Sequence, residues 1–160
     1  MTFSGLSTVK ICNVIGTACH VRLAQTSDCS KMANLAVQLG YQCTEEQVRE
    51  RLEEMQDSNQ YSVCVAELPG GQIAGWIAAY LFRSIEAATC VEISGLIVDQ
   101  QVRCRGIGKV LLAAAEEWAR LQGCNAITVH CNITRERAHA FYCNNRFQHI
   151  KTQKLLHKDL

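Results

Sequence analysis

The chain has 160 residues and a formal net charge of +1, and 19% of its residues are charged. This length is typical of one domain with a substantial core. The nearly neutral balance argues against the broad basic surface that nucleic-acid binding requires. Nucleic acid is therefore not an expected partner. A membrane is not expected either, because no stretch approaches the ~20 apolar residues of a membrane span.

Ten cysteines and five histidines raise the questions of disulfides and of bound metal. Residues 1–18 lack a basic start followed by an unbroken apolar stretch, so no secretory signal is predicted, and a cytoplasmic location with reduced thiols is expected. The spacings contain no Cys-x-x-Cys pair and no histidine ligand pattern, so no metal is predicted. Each cysteine is expected to be a buried structural residue.

The first half of the chain predicts a strand, two helices and a hairpin, in that order. The segments are a strand over 20–24, a helix ending at Gly40, a helix after Thr44, and paired strands over 61–68 and 73–82. Ser27 or Asp28 can cap the first helix, and residues 44–47 form a capping-box pattern for the second. Residues 1–18 stand apart as an N-terminal extension, in which 9–15 could be an edge strand or a leader.

A further strand is expected over 89–98, and it contains one acidic residue among apolar ones. Regular alternation would place Glu92 on the same face as Leu96 and Val98. Burying an acid is costly unless the group is paired or used. Two interpretations stay open: an exposed or salt-bridged position, or a functional group that faces a cleft.

The stretch from 96 to 112 predicts a strand, a loop and a helix. Gly106 and Gly108 stand where the helix begins, although glycine lowers helix stability. Unpaired amides at a helix N-terminus bind phosphate oxygens, which would explain that cost. Positive charge is added by Arg103, Arg105 and Lys109. An ordinary glycine-containing turn is the simpler alternative.

Spacing excludes the two common nucleotide-binding motifs. The Rossmann motif needs a third glycine three residues after Gly108, where Leu111 stands. The Walker loop needs a glycine five residues before Gly108, where Arg103 stands. What remains is Arg103-x-x-Gly106-x-Gly108 between a strand and a helix. It resembles the signature of the GNAT superfamily of N-acetyltransferases, whose amides bind the pyrophosphate of acetyl-CoA.

The rest of the chain predicts a helix, a strand, a helix and two short strands. The segments are a helix over 106–122 stopped by Gly123, a buried strand over 126–131, a helix over 135–144 capped by Thr134, and strands over 147–150 and 153–157. The first helix turns inward Val110, Leu111, Ala114, Ala115, Trp118 and Leu121. Asn144 and Asn145 can form the left-handed turn that ends the second helix. The order β-α-α-β-β-β-α-β-α-β-β describes a mixed α/β sheet wrapped by helices.

A second stretch resembles the same superfamily. Arg135-x-x-Ala138-His139-x-Phe141-Tyr142, followed by Phe147, is similar to its second conserved block. The likeness is greatest to small-molecule amine acetyltransferases of the aminoalkylphosphonate type. Two positions depart from the pattern.

Many members carry asparagine at the position of Arg135, where it contacts the cofactor arm. They carry glycine at the position of Arg146, whose special backbone angle Asn145 could supply here.

The resemblance covers residues 20–160 and implies one GNAT-like α/β domain over 19–160. Its sheet would be mixed and mostly antiparallel, flanked by about four helices. It implies direct transfer of an acetyl group from acetyl-CoA to a primary amine through a tetrahedral intermediate, with no covalent enzyme intermediate. Residues implied in acetyl-CoA binding are Leu96, Ile97, Val98, Arg103, Cys104, Arg105, Gly106, Ile107, Gly108, Lys109 and Arg135.

Two titratable roles follow from direct transfer, because the amine must lose a proton and the thiolate must gain one. Tyr142 is the expected acid and Glu92 the candidate base. The alternatives are a catalytically silent acyl-CoA-binding module and a protein acetyltransferase acting on lysine or an N-terminus. The sequence leaves open the identity of the amine and the oligomeric state, for which a homodimer is one option.

Overall fold

The computed structural model describes residues 10–14 and 17–160, with side chains from residue 18 onward. The strands are β1 (Lys10–Val14), β2 (Thr17–Leu23), β3 (Tyr61–Leu68), β4 (Gln72–Phe82), β5 (Cys90–Val98) and β6 (Ile127–Val129). The helices are α1 (Cys29–Leu39), α2 (Glu45–Gln56), α3 (Ile107–Leu121) and α4 (Glu136–Asn144). Short 3-10 turns span Thr26–Asp28 and Gln100–Val102.

The six strands form one sheet in the order β1-β2-β3-β4-β5-β6. All neighbours are antiparallel except β5 and β6, which are parallel and joined through α3. The predicted element order is confirmed from β2 through α4. The strand β1 lies inside the predicted N-terminal extension and pairs with β2, which favours the edge-strand interpretation of residues 9–15.

Two consecutive residues of β4 show which helices cover which face, because neighbouring side chains of a strand point to opposite faces. The Trp76 indole donates a hydrogen bond to the carbonyl of Met32 in α1. A Cβ atom on Gly75 would contact Leu111 of α3. The α1–α2 face is filled by a core cluster of Ala24, Cys29, Met32, Leu35, Leu52, Val63, Val65, Ile73 and Ile97. The other face packs on Ile107, Leu111, Leu112, Ala115 and Trp118 of α3.

Helix boundaries follow local signals in several places. Gly40 ends α1 with φ 97°, and Gly123 follows α3 with φ 73°. Thr44 and Gln47 form the expected capping box at the start of α2. The α1 cap is different, because the Asp28 carboxylate accepts two hydrogen bonds from Arg22, at 2.7 and 2.9 Å, instead of capping the helix.

Contacts divide the chain into two compact units, residues 1–130 and 131–160. The first contains the sheet and α1 to α3. The second contains α4, with Arg135 as the N-cap residue of that helix. Thr134 does not cap α4, because its hydroxyl bonds to the Asn132 side chain at 2.9 Å.

Several sequence expectations are wrong near the C-terminus. The strands predicted over 147–150 and 153–157 are absent from the described chain, where these polar-rich segments carry no regular structure. An isolated strand without a partner is not stable in water. The strand β6 is three residues long and half-buried rather than buried over 126–131, since it pairs only with β5 in the described part of the chain.

Side-chain burial also corrects two expectations. Leu121, predicted to face inward, is 62% exposed, because it is the last residue of α3 and no further turn of the helix follows to cover it. Cys104, in the loop before α3, and Cys143, in the last turn of α4, are exposed rather than buried. Four cysteines are buried as expected, namely Cys19, Cys29, Cys64 and Cys124.

Candidate active site

The centre of β5 contains a β-bulge. Ala79 of β4 pairs with Ile93, and Ala78 pairs with Gly95, so that Ser94 is an extra residue. An extra residue reverses the alternation of side chains beyond it. Before and after Ser94, the side chains of β5 therefore alternate between the two faces of the sheet in opposite phase.

The bulge overturns the predicted face of Glu92. This residue pairs with Tyr80, while Ile97 pairs with Trp76, and both partners lie on the α1–α2 face of β4. Glu92 thus shares its face with Ile97 and not with Leu96 or Val98. Regular alternation along β5, on which the predicted face of Glu92 depended, is broken at Ser94.

The strands β5 and β6 separate just before the bulge. Their pairing covers Val91–Ile93 only. On this side the described chain offers no strand partner to residues 94–98. Leu96 and Val98 are half-buried, whereas the side chain of Ile97 packs in the core, so that only its backbone is available to a ligand.

The loop between β5 and α3 presents bare amides, as expected for residues 104–108. Cys104 and Gly106 have positive φ values of 62° and 84°, and α3 begins at Ile107. Within the described residues, no hydrogen bond is donated by the amides of 104–108. Arg105 and Lys109 are exposed beside them. The arrangement suits an anion at a helix N-terminus.

The Arg103 side chain forms a hydrogen bond that connects this loop to β5. Its Nε atom donates a hydrogen bond to the Val98 carbonyl at 3.0 Å, across the 3-10 turn of Gln100–Val102. The side chain is half-buried, unlike that of Arg105. Arg103 thus closes the loop on the end of β5.

A buried carboxylate, which belongs to no motif in the sequence, fixes the same loop to α1. Asp99 is 3% exposed, accepts a hydrogen bond from the Gln101 amide, and pairs with Lys31 at 2.9 Å. The bond from Lys31, joined by the Gln101 amide, holds the pKa of Asp99 below its usual range against the effect of burial. The sequence feature that could have indicated Asp99 is its position directly after the β-branched residues at the end of β5.

Glu92 belongs to a polar row that crosses the sheet far from this loop. Tyr61, Tyr80, Glu92 and Thr128 are successive cross-strand partners on β3, β4, β5 and β6. The Tyr80 hydroxyl donates to Glu92 Oε1 at 2.6 Å, and His130 Nδ1 lies 3.5 Å from the same oxygen. Glu92 was one candidate from sequence, whereas Tyr80 and His130 were missed because strand pairing is not visible there.

The phenol of Tyr80, within this row, has a shifted pKa. Burial and the hydrogen bond to Glu92 raise the pKa of Tyr80 to about 12. The Glu92 side chain is 12% exposed, whereas that of His130 is 71% exposed. Tyr61 packs its ring at 6.2 Å from the Tyr80 ring. The carboxylate is therefore shielded on one side and reaches an exposed imidazole on the other.

Tyr142 belongs to the second unit, residues 131–160. Its ring makes edge contacts with Phe141 and Phe147, both at 5.2 Å between centroids. Burial raises the pKa of Tyr142 to about 12. Within residues 131–160 its hydroxyl makes no hydrogen bond, and the residue is 9% exposed.

The two departures from the family pattern also lie in this unit. Arg135 is exposed at the start of α4, where its carbonyl accepts from the Ala138 and His139 amides. Arg146 itself adopts the left-handed conformation, with φ 69°. The expectation that Asn144 or Asn145 would do so is wrong: Asn144 ends α4, and Asn145 has φ −102° and caps the Phe141 carbonyl with its side chain.

The described residues include no group of three or more histidine, cysteine or acidic side chains placed to hold a metal ion. None of the helices in that same part of the chain is long and apolar enough to cross a membrane.

Comparisons with known sequences point to one family. The model of the acetyltransferase (GNAT) family matches residues 30–144. Aminoalkylphosphonate N-acetyltransferase from Salmonella typhimurium (strain LT2) is 34% identical over 92 residues, which are 56% of this chain and 60% of that protein. The match therefore spans less than two thirds of the length of this curated relative.

Solved structures show the same fold at low sequence identity. Glucosamine-6-phosphate N-acetyltransferase from Arabidopsis thaliana matches with a TM-score of 0.76 and 20% identity, over 88% of this chain and 99% of that one. The aminoglycoside N-acetyltransferase AAC(6')-Iy in complex with CoA matches with a TM-score of 0.80 and 17% identity, over 91% and 97%. The predicted fold class is confirmed.

Proposed function

The chain belongs to the acetyltransferase (GNAT) family, and on that premise we propose that it transfers the acetyl group of acetyl-CoA to a primary amine of a small molecule. The carrying observation is the open edge of β5 over residues 94–98, which leads to the bare amides of residues 104–108. A helix N-terminus with free amides binds phosphate oxygens, and an open strand edge offers backbone groups to an amide-containing chain.

The proposed binding mode places the pyrophosphate of acetyl-CoA at Gly106 and Gly108 and its pantetheine arm along residues 96–98. Glu92 precedes Val98 by six residues, which corresponds to roughly 20 Å at ~3.3 Å per residue. An extended pantetheine arm can bridge such a separation, so that the thioester would lie near the bulge. Arg105, Lys109 and Arg135 are the proposed partners of the phosphates and of the arm.

The proposed reaction is direct attack of the amine on the thioester through a tetrahedral intermediate. A thioester is already activated, so the protein must chiefly place the amine, take up its proton and stabilise the developing charges. Cysteine nucleophiles are not needed. Burial raises the pKa of Cys29, Cys64 and Cys131, which disfavours the thiolate.

Glu92 is the proposed base. It is the acidic residue within β5, and it lies before the bulge, where β5 leaves β6. A carboxylate there can accept a proton from an ammonium group directly or through water. We expect Glu92→Gln to lower kcat at saturating substrate. A variant with the wild-type rate and pH profile would show that another group or bulk water accepts the proton.

Tyr142 is the proposed acid that returns a proton to the CoA sulfur. Its position in the second family block supports this role. So does its raised pKa of about 12, because the phenol keeps its proton near neutral pH. The hydroxyl can donate a hydrogen bond to the leaving thiolate and transfer the proton as the C–S bond breaks.

The proposal is tested by release of free CoA thiol over a panel of acceptors with acetyl-CoA as donor. The panel contains an aminoalkylphosphonate, an amino-sugar phosphate, an aminoglycoside and a peptide with a lysine and a free N-terminus. We expect turnover with at least one small amine. Turnover with the peptide alone would indicate a protein acetyltransferase, and a blank panel with measurable acetyl-CoA binding would indicate a silent acyl-CoA-binding module.

A further inference from the structure

We infer that Tyr80 and His130 are positioning residues, which hold one oxygen of Glu92 so that the other is presented to the acceptor amine. This inference rests on the proposed function. Both groups approach the same atom, Oε1: Tyr80 from β4, and His130 from the position directly after β6. Within the described chain, no partner contacts Oε2.

The bond from Tyr80 has the geometry of a hydrogen bond to an ionised acceptor. Its length is 2.6 Å, in the range of about 2.5–2.7 Å for a hydroxyl bound to a carboxylate. Because burial and the bond to Glu92 raise the pKa of Tyr80 to about 12, the phenol keeps its proton near neutral pH and can donate a hydrogen bond to Oε1.

His130 approaches Oε1 from the other side of β5. Its Nδ1 atom lies at 3.5 Å, and the ring follows β6 at a position that shares the face of Thr128 and Glu92. The Tyr80 hydroxyl on one side and the His130 ring on the other limit the rotation of the carboxylate about its last side-chain bond. Oε2 is then held in one direction, which is what a general base needs to meet an ammonium proton within hydrogen-bond reach.

Among the described residues, the other neighbours of Tyr80 do not donate a hydrogen bond to Glu92. Tyr61 contacts the Tyr80 ring rather than the carboxylate, and Cys90 is an electrostatic neighbour of Tyr80 on β5. Oε1 thus accepts a hydrogen bond from Tyr80 and lies 3.5 Å from His130 Nδ1, while Tyr61 is a matched tyrosine that makes no bond to the carboxylate within the described residues.

The first test is a double-mutant cycle with Tyr80→Phe and Glu92→Gln, measured on an amine that the wild-type protein acetylates. Tyr80→Phe keeps the ring, so we expect kcat to fall on the order of 10-fold, with little change in the KM for acetyl-CoA. Because Tyr80 acts through Glu92, the double variant should be no slower than Glu92→Gln alone. Tyr61→Phe is the matched control and should keep the wild-type rate.

The second test compares His130→Ala with His130→Asn. The asparagine amide offers an N–H donor near the place of Nδ1, so Asn should restore most of the rate that Ala loses. Thermal melting of each variant shows that it is folded, which an exposed position such as His130 favours. A role in stability alone would lower the melting temperature without a selective loss of kcat.

The outcomes separate this inference from the proposed function. A wild-type chain that acetylates no amine would overturn both. Wild-type turnover with an unchanged rate in Tyr80→Phe, or losses that multiply in the double variant, would overturn the positioning role alone. Equal rates for His130→Ala and His130→Asn would show that His130 does not help to position Glu92.

Discussion

The two glycines of the cofactor loop should respond oppositely to alanine. Gly106 has φ 84°, a conformation that L side chains rarely adopt. Gly108 is the second residue of α3 and has helical backbone, so its own conformation does not require glycine. Alanine is favoured over glycine in helices by about 0.5–1 kcal/mol. The presence of glycine at position 108 therefore calls for a reason outside the helix, and close approach of a ligand is one.

The expected magnitudes follow from this difference. Gly108→Ala should raise the free energy of unfolding by up to about 1 kcal/mol, or the melting temperature by roughly 2–4 °C. Gly106→Ala should lower the free energy of unfolding by about 1 kcal/mol. At Gly108 an added methyl group should disturb one or two amide hydrogen bonds to phosphate, each worth about 1.5–3 kcal/mol. The Kd for CoA should then rise roughly 10-fold or more, and further in Gly108→Val.

Calorimetric titration with CoA, together with thermal melting, checks both signs on the same samples. Ala113→Gly is the control, because Ala113 is exposed in the same helix. It should lose stability without losing affinity. A folded Gly108→Val protein with wild-type affinity for CoA would refute the assigned pyrophosphate site, whatever its melting temperature.

Other predictions concern one acid, one backbone position and one buried ion pair. Tyr142→Phe should lower kcat on the order of 10²–10⁴-fold, well beyond any change in acetyl-CoA affinity, and a wild-type rate where chemistry limits would identify Tyr142 as a packing residue. Arg146→Gly should raise the free energy of unfolding by about 1 kcal/mol, because φ 69° is strained for arginine, and urea denaturation measures it. The lowered pKa of Asp99 contributes stability above the ordinary carboxyl pKa of about 3.9, which is lost as pH falls through the folded value. Lys31→Met should therefore cost on the order of 1 kcal/mol at pH 7 and much less at pH 3, and equal losses at both pH values would contradict this linkage.

Local chemistry explains what the sequence predicted well. Gly40 and Gly123 each adopt a positive φ, and Thr44 caps α2. These features could be predicted because each depends on a few neighbouring residues. The bare amides before α3 were expected from two glycines and their spacing. Such signals are complete within one short stretch of chain.

Features that depend on a partner strand were the ones that sequence could not give. The bulge at Ser94 exists only relative to β4, and it changes the face of Glu92. The contact between Tyr80 and Glu92 joins residues on different strands, so no spacing in the sequence reveals it. Asp28 likewise looked like a helix cap, but Arg22 on β2 binds its carboxylate.

An open strand edge inside a sheet must be kept open, because unpaired backbone groups attract another strand. Two glycines hold β5 tightly against β4 on the opposite side. A Cβ atom on Gly95 would lie 2.8 Å from the Trp76 ring, and one on Gly75 would collide with the Ile97 carbonyl oxygen. With β5 fixed at this distance from β4, and with its alternation reset at the bulge, the edge facing away from β4 can part from β6 without loosening the core. The geometry that frees residues 94–98 for a ligand thus depends on two glycines that let β4 and β5 approach each other closely.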